Sequence, residues 1–288
     1  MLNKDPVLRD RINTHKDMEI NDDPLNWIQL VEVSLTELCN RKCFFCPRID
    51  PAVYPNRNLH MSTETMTNLA VKLEEINYQN RISIAGFGEP MLHSNYLEMC
   101  SILRKKLPDN KHFELITNGD RIKSITDIQS FFDAGVNHLY ISLYDNEDQA
   151  DFFKSLLDNY ELKDHITLRK LWGSDPELNL TNRAGTVNIG NGLTKPMNRP
   201  CHYPFYALTV DWDGAVLLCD QDWNKKVKLG NVNYHTLEEI WLSPQVNTIR
   251  NKLLNGSRNH SPCRNCNVDG TAYGGESFRK FGKYLHGS

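Results

Sequence analysis

No run of apolar residues in this chain approaches the roughly 18 needed to cross a bilayer. The opening residues, Met1-Leu2-Asn3-Lys4-Asp5-Pro6, hold no apolar stretch of the kind that marks a secretory signal. Together these absences lead to the expectation of a cytoplasmic protein with no membrane partner. An excess of charge of one sign is missing too. Lys and Arg number 33 against 36 Asp and Glu, a net −3, so bulk electrostatics give no reason to expect nucleic acid as an obligate partner. Internal repeats and low-complexity tracts are absent. A length of 288 residues suits one large domain, or one with a small appendage, and is enough to bury a real core.

What the chain does have is cysteine, eight of them. In a reducing compartment that count argues against a disulfide framework. Their spacing argues against scattered core use. Cys39, Cys43 and Cys46 fall within eight residues, Cys201 and Cys219 precede the close pair Cys263 and Cys266, and Cys100 stands apart. Metal or cluster ligation is the natural reading.

Hydrophobic periodicity alternates along the first two thirds of the chain. Strand-like runs at 28–35, 82–85, 112–116, 138–143 and 166–171 are separated by stretches with apolar residues at helical spacing, and 186–189 is a candidate sixth strand. Ser62 reads as a helix N-cap. Such alternation implies βαβ units and a parallel sheet, with ligands expected at the strands' carboxyl ends. The pattern changes near Asn198-Arg199-Pro200. Two short strands there flank Asp213-Gly214, a hairpin signal, and Thr236 with Glu239 forms a capping box. The expected organisation is an N-terminal arm at 1–27, lying loose or as a short helix over the core, a core at 28–197 and a smaller domain at 198–288.

The first cysteine group reads Cys39-Asn40-Arg41-Lys42-Cys43-Phe44-Phe45-Cys46-Pro47, directly after a strand. Three thiolates on one loop can hold three irons of a cubane and leave the fourth iron open. A structural zinc site would want four ligands, and this loop contains no His. The C-x3-C-x2-C spacing, with the aromatic Phe45 before the third cysteine, resembles the radical S-adenosylmethionine (SAM) superfamily. That resemblance implies a partial (β/α)6 barrel, an α/β fold, and a 4Fe–4S cluster whose open iron is chelated by SAM. It also implies reductive cleavage of SAM to a radical that abstracts hydrogen from substrate. Gly86-Phe87-Gly88-Glu89-Pro90 resembles the segment that contacts the methionine amino group, though a plain turn explains it alone. Thr117-Asn118-Gly119 resembles another common family signature or is an ordinary Asn-Gly turn. Ser142 and Asp145 are expected to bind the ribose hydroxyls, or merely to cap the strand.

Cys201, Cys219, Cys263 and Cys266 form a four-ligand set, able to saturate a second 4Fe–4S cluster or to make a tetrahedral zinc site. The surrounding Trp212-Asp213-Gly214, Leu218-Cys219-Asp220 and Leu229-Gly230-Asn231 resemble the cluster-binding extension of SPASM and twitch proteins. Four cysteines leave room for one auxiliary cluster, which points to the shorter twitch form. The spacing resembles that of a twitch-type dehydrogenase acting on an aminocyclitol. The resemblance therefore implies two-electron oxidation of an alcohol on a small polyol, aminocyclitol or sugar-like molecule. An auxiliary cluster would accept the second electron, and a donor such as flavodoxin or ferredoxin would supply the first.

Arg183 is the candidate catalytic residue, orienting the hydroxyl or an anionic substrate group; a surface ion pair is the plainer reading. Arg169 and Lys170 are weaker candidates. Cys100 sits on an apolar helical face and reads as a buried small hydrophobe; its sharper alternative is the hydrogen donor of an epimerase. A dehydratase and a peptide-modifying enzyme are the other readings.

Overall fold

The computed structural model describes residues 4–14, 20–173, 177–189, 193 and 195–287. After helix α1 (Pro6–Thr14), strands and helices alternate: β1 (Leu30–Val33), α2 (Thr63–Glu75), β2 (Arg81–Ile84), α3 (Tyr96–Lys106), β3 (Phe113–Thr117), α4 (Ile125–Asp133), β4 (His138–Leu143), α5 (Glu147–Leu157) and β5 (Ile166–Lys170). The helices start where local chemistry satisfies their first free amides. Ser62 accepts from Thr65 N at 3.1 Å, and Ser124 with Asp127 closes a capping box. The C-terminal third supplies α6 (Tyr203–Tyr206), β6 (Ala207–Val210), β7 (Ala215–Leu217), β8 (Lys228–Asn231), α7 (Leu237–Trp241), α8 (Pro244–Leu254) and α9 (Gly275–His286). Thr236 and Glu239 form the expected capping box on α7. Gly214, at φ +80°, turns the β6–β7 hairpin.

One eight-stranded sheet runs through both parts, in the order β5-β4-β3-β2-β1-β6-β7-β8. The expected sixth strand at 186–189 does not form. Arg183–Gly185 is a tight 3-10 turn instead, and Gly185 has φ +87°, which breaks extended backbone. The sixth parallel strand is β6, and it pairs with β1, not β5: Leu30 lies opposite Ala207 and Val33 opposite Val210. Strands β7 and β8 then pair antiparallel. The sheet therefore continues across residue 198, where the sequence pattern changes.

The two faces of the sheet differ, because successive strand side chains point to opposite sides. On one face Val31, Ile82, Leu115 and Ile141 pack under Met66, Leu103, Phe131 and Phe153 of α2 to α5 in a single apolar core. The other face carries Ser83, Glu114, Tyr140 and Arg169, all of which contact α1 or the residue before it. Arg11 of α1 meets Glu114 at 2.6 Å and Ser83 at 3.1 Å, and Arg81 reaches the other Glu114 oxygen at 2.5 Å. Tyr140 donates to Asp10 at 3.1 Å, and Asp5 pairs with Arg169. Within the N-terminal arm, α1 is thus bound to the sheet by charge.

Burial alone would push Glu114 upward; Arg11 and Arg81 together hold it down to about 2. A carboxylate depressed in the fold contributes stability that is complete above its ordinary value of 4.5 and is lost as pH falls through its folded value. Acid unfolding followed by circular dichroism should therefore show stability falling between about pH 4.5 and 2. An Arg11→Met variant should lose about 3 kcal/mol at neutral pH, the cost of taking one partner from a buried ion pair. That variant should also show a shallower acid transition.

Candidate active site

The polar face of the sheet opens into a cavity of about 1150 Å³. Pockets for one small ligand run about 300–1,000 Å³, so this one has room for a cosubstrate and a substrate together. Its lining joins Cys39, Cys43 and Cys46 from the loop after β1, Gly86 to Glu89 after β2, Asn118 after β3 and Ser142 near the end of β4. Residues from α1, Arg183 and Asp220 form other walls.

The three-cysteine loop is fixed by contacts from several elements. Asn56 brackets Cys39, accepting from its amide at 2.9 Å and donating to its carbonyl at 3.1 Å. Arg48, buried and stacked on Tyr54, donates to Phe87 O and to Asn56 Oδ1. Gly86 and Gly88 face this loop as well as the cavity. A Cβ on Gly88 would lie 2.1 Å from Thr36 O, and one on Gly86, at φ +92°, would lie 1.9 Å from Ser34 Oγ. Backbone of the segment leading into the cysteine loop thus excludes a side chain at Gly88, whereas Gly86 is set by its positive φ and by the Ser34 hydroxyl after β1. Glu89 N donates to Leu38 O at 2.7 Å. The Glu89 carboxylate accepts from Thr117 Oγ1 at 2.6 Å, Asn118 N at 2.8 Å and Met91 N at 3.1 Å. Burial nevertheless raises it to about 7. Asn118 donates to Asn40 Oδ1 at 2.8 Å. Arg41, between the first two cysteines, is gripped by Asp120 and Asp145 and lies over the Tyr144 ring. Asp145 therefore reaches the loop through Arg41 and is not part of the cavity lining, whereas Ser142 is. Phe45 is buried, nearly parallel to Tyr144 at 6.3 Å.

Burial raises all three thiols, Cys43 to about 12, and repulsion from neighbouring thiols adds to it at Cys39 and Cys43. Thiolates gathered here need a cation to be stable. Three soft donors from one loop, all lining the cavity and with no fourth thiol on that loop, fit a cubane cluster with one iron left open.

Cys201, Cys219, Cys263 and Cys266 ring a second, small apolar cavity with Ala184, Pro204 and Pro262. All four are buried and unbridged, and burial raises each thiol. Among the described residues no three His, Cys, Asp or Glu side chains converge on a single ion position. The four thiols surround a space, which suits a multi-iron cluster with four thiolate ligands. Arg258 braces the ring. It donates to Arg199 O, Pro200 O, Val268 O and Asp269 O, tying the chain before Cys201 to the chain after Cys266. Tyr203, Gln221 and Val268 line both cavities, so one layer of side chains separates the four-cysteine ring from the main cavity.

Arg183 lines the main cavity with its Nε buried and unpartnered. Its φ is +46° and that of Ala184 is +52°, consecutive left-handed residues of the strained kind that collects at functional sites. Across from it stand Glu32 of β1 and Asp220, beside Cys219. Burial and then the Asp220 charge lift Glu32 to about 7, against the pull of Arg11 and Arg183. Asp220 is raised by burial, and its Oδ1 has no partner. Glu32 sits inside an apolar-looking strand, so only the alternation of Val31-Glu32-Val33 hinted that it faces away from the core.

Lys225 is a further tie between the two parts. It pairs with Glu37, which precedes the cysteine loop, and with Asp211 at 2.5 Å. Cys100, by contrast, lies in the apolar core under α3, on the far side of the sheet from the cavity. That position removes it as a hydrogen donor to anything bound in the cavity.

Residues 33–165 match the radical SAM superfamily, and residues 201–267 match SPASM, an iron-sulfur cluster-binding domain. The S-adenosyl-L-methionine-dependent 2-deoxy-scyllo-inosamine dehydrogenase of Niallia circulans is 28% identical over 259 residues, which cover 83% of this chain and 92% of that protein. A GTP 3',8-cyclase of Pseudomonas putida KT2440 is 30% identical over 129 residues, 45% of this chain and 36% of the cyclase. The crystal structure of BtrN in complex with AdoMet and 2-DOIA superimposes with a TM-score of 0.71 at 24% identity, covering 85% of this chain and 98% of that one. The described residues include no helix long and apolar enough to cross a membrane. The radical SAM domain implies a 4Fe–4S cluster with SAM, and the SPASM domain an auxiliary cluster. The cysteine-lined cavity, the second cysteine ring and the two matched segments agree: the chain carries a radical SAM domain followed by a C-terminal SPASM domain.

Proposed function

We propose that this enzyme oxidises a secondary alcohol on a small, amine-bearing polyhydroxylated ring, an aminocyclitol or a sugar-like relative. The supporting relative acts, by its name, on 2-deoxy-scyllo-inosamine. The observation that carries the reading is the thin wall between the main cavity and the four-cysteine ring, with the buried carboxylate of Glu32 lining the main cavity. When bound, SAM and its cluster supply the radical that takes the carbinol hydrogen, and the auxiliary cluster is the acceptor for the remaining electron.

The chain's own residues divide the other tasks. Cys39, Cys43 and Cys46 hold the first cluster; Cys201, Cys219, Cys263 and Cys266 hold the second. Phe45, Gly86, Gly88, Glu89, Asn118 and Ser142 form the SAM berth, and Asp145 acts indirectly by positioning Arg41. Glu32 takes the hydroxyl proton, and Arg183 orients the oxygen that loses it. Asp220 and Glu32 together suit the substrate's ammonium. A change of chemistry at residue 198 divides core from SPASM region. The enzyme works in the cytoplasm, where its eight unbridged thiols stay reduced. Its first electron comes from flavodoxin or ferredoxin docking near the exposed Phe44 and Lys42.

Anaerobic assay of the reconstituted enzyme with a ring deuterated at the reacting carbon tests the reading. Deuterium should appear in 5′-deoxyadenosine, in a one-to-one ratio with ketone. Deuterium-free 5′-deoxyadenosine, or product without a carbonyl, would refute it. Glu32→Gln should lower kcat/KM by about 10²–10³-fold, the range for losing a general base. The groups facing Glu32 are Arg11 on α1, Glu114 on β3, Asp220 and Arg183. With Glu32 at about 7 among them, the wild-type rate should rise with pH through about 7. The variant should lose that limb.

A further inference from the structure

Helix α1 lies outside both matched segments, 33–165 and 201–267. It nevertheless furnishes a continuous part of the cavity wall, together with the two residues before it: Lys4, Asp5, Val7, Leu8, Arg11 and Ile12 all line the space that also holds Cys43 and Glu89. Its place there is built, not incidental. Arg11 is bound to Glu114 and Ser83, Asp10 to Tyr140, and Asp5 to Arg169, so three successive strands and β5 each hold it by a polar side chain. The apolar contribution is small and lies at one edge, where Leu8 and Ile12 pack beside Leu30, Tyr206 and Tyr273. A helix whose only need was burial would present an apolar stripe to the sheet. This one presents charges to a polar face and leaves Leu8 on the rim of the cavity.

We infer that α1 is a specificity element: it occupies the part of the sheet's polar face that a larger substrate would need, and so restricts the cavity to a single polar ring. This rests on the proposed function and deepens it. The physical content is steric. The helix backbone is pinned by buried ion pairs and cannot yield to a second ring. The side chain of Leu8 sets how far the first ring may reach. A peptide or a glycosylated ring would have to displace α1, exposing Glu114 with Arg81 as its one remaining cation. The small-ring preference is then a property of residues 4–14 and not of the matched radical SAM domain.

Binding measures this without turnover. The reconstituted full-length enzyme with SAM is titrated by calorimetry with a monocyclic aminocyclitol, and separately with the same ring carrying one further sugar. The wild type should prefer the single ring. Leu8→Ala, and a chain beginning at residue 20, should each reduce that preference at least tenfold. Leu8→Trp should weaken binding of even the single ring at least tenfold. Circular dichroism and iron content accompany each titration to report on folding, and the two Leu8 variants test the inference without the truncated chain. An unchanged ratio in the Leu8 variants, with fold and iron intact, overturns the inference and leaves the proposed function standing. A wild type that binds neither ring overturns the proposed substrate and this inference with it.

Discussion

Replacing Cys43 with Ala should reduce SAM cleavage to the background of cluster-free protein and lower iron from about eight to about four per chain. Cys43 is the thiol of the first group most strongly raised by burial and by its two neighbours, so it most needs a cation to ionise. Its loop is held from outside the cluster, by Asn56 on Cys39, by Arg48 on Phe87 O and by Arg41 between two aspartates. The protein should therefore fold without Cys43's thiol, and the four-cysteine site should still fill. The measurements are 5′-deoxyadenosine formed under dithionite, and iron and sulfide per chain. Retained cleavage would remove Cys43 from the ligand set. Loss of all eight irons would mean that the two sites assemble as one.

The second large effect separates the two halves of the reaction. Cys219→Ser should also take iron to about four per chain, but here SAM cleavage should persist while ketone formation falls to background. Cys219 is buried beside Asp220, and Tyr203, Gln221 and Val268 line both the ring and the main cavity. Losing that ring removes the electron's destination and leaves the radical-generating site in place. Ketone formed at the wild-type rate by this variant would end the electron-acceptor role. Iron that stays at eight would show that three thiols suffice.

Much of this was legible beforehand, where chemistry is concentrated in a short segment. The spacing of Cys39, Cys43 and Cys46 and the four later cysteines announced the two sites directly. The strands β1 to β5 and the caps at Ser62 and Thr236 followed from local pattern. Gly86 and Gly88 were legible as special positions, but the neighbours that exclude a side chain, the Ser34 hydroxyl at Gly86 and the Thr36 carbonyl at Gly88, were not. Strand β6 was read as part of a hairpin, which it is; nothing local said that its free edge would seek β1. Residues 186–189 have strand composition, but the turn at Arg183–Gly185 and the lack of a pairing partner prevail over propensity. Arg258 and Lys225 were invisible, and Glu32 was hinted at only by strand alternation, because their roles lie in partners distant along the chain. A single arginine or lysine looks like surface until its carbonyls and carboxylates are found.

The pairing of β6 with β1 has a consequence for how the molecule is made. β1 leaves the ribosome about 170 residues ahead of the strand that covers one of its edges, which begins at Ala207. Until that stretch has been synthesised, β1 presents an unsatisfied row of amides and carbonyls of the kind that recruits foreign strands. The nascent chain thus passes through a long interval as an incomplete sheet, open to aggregation. A truncation ending near 197 would freeze that interval permanently. Such a fragment should be found in inclusion bodies, however intact its three-cysteine loop.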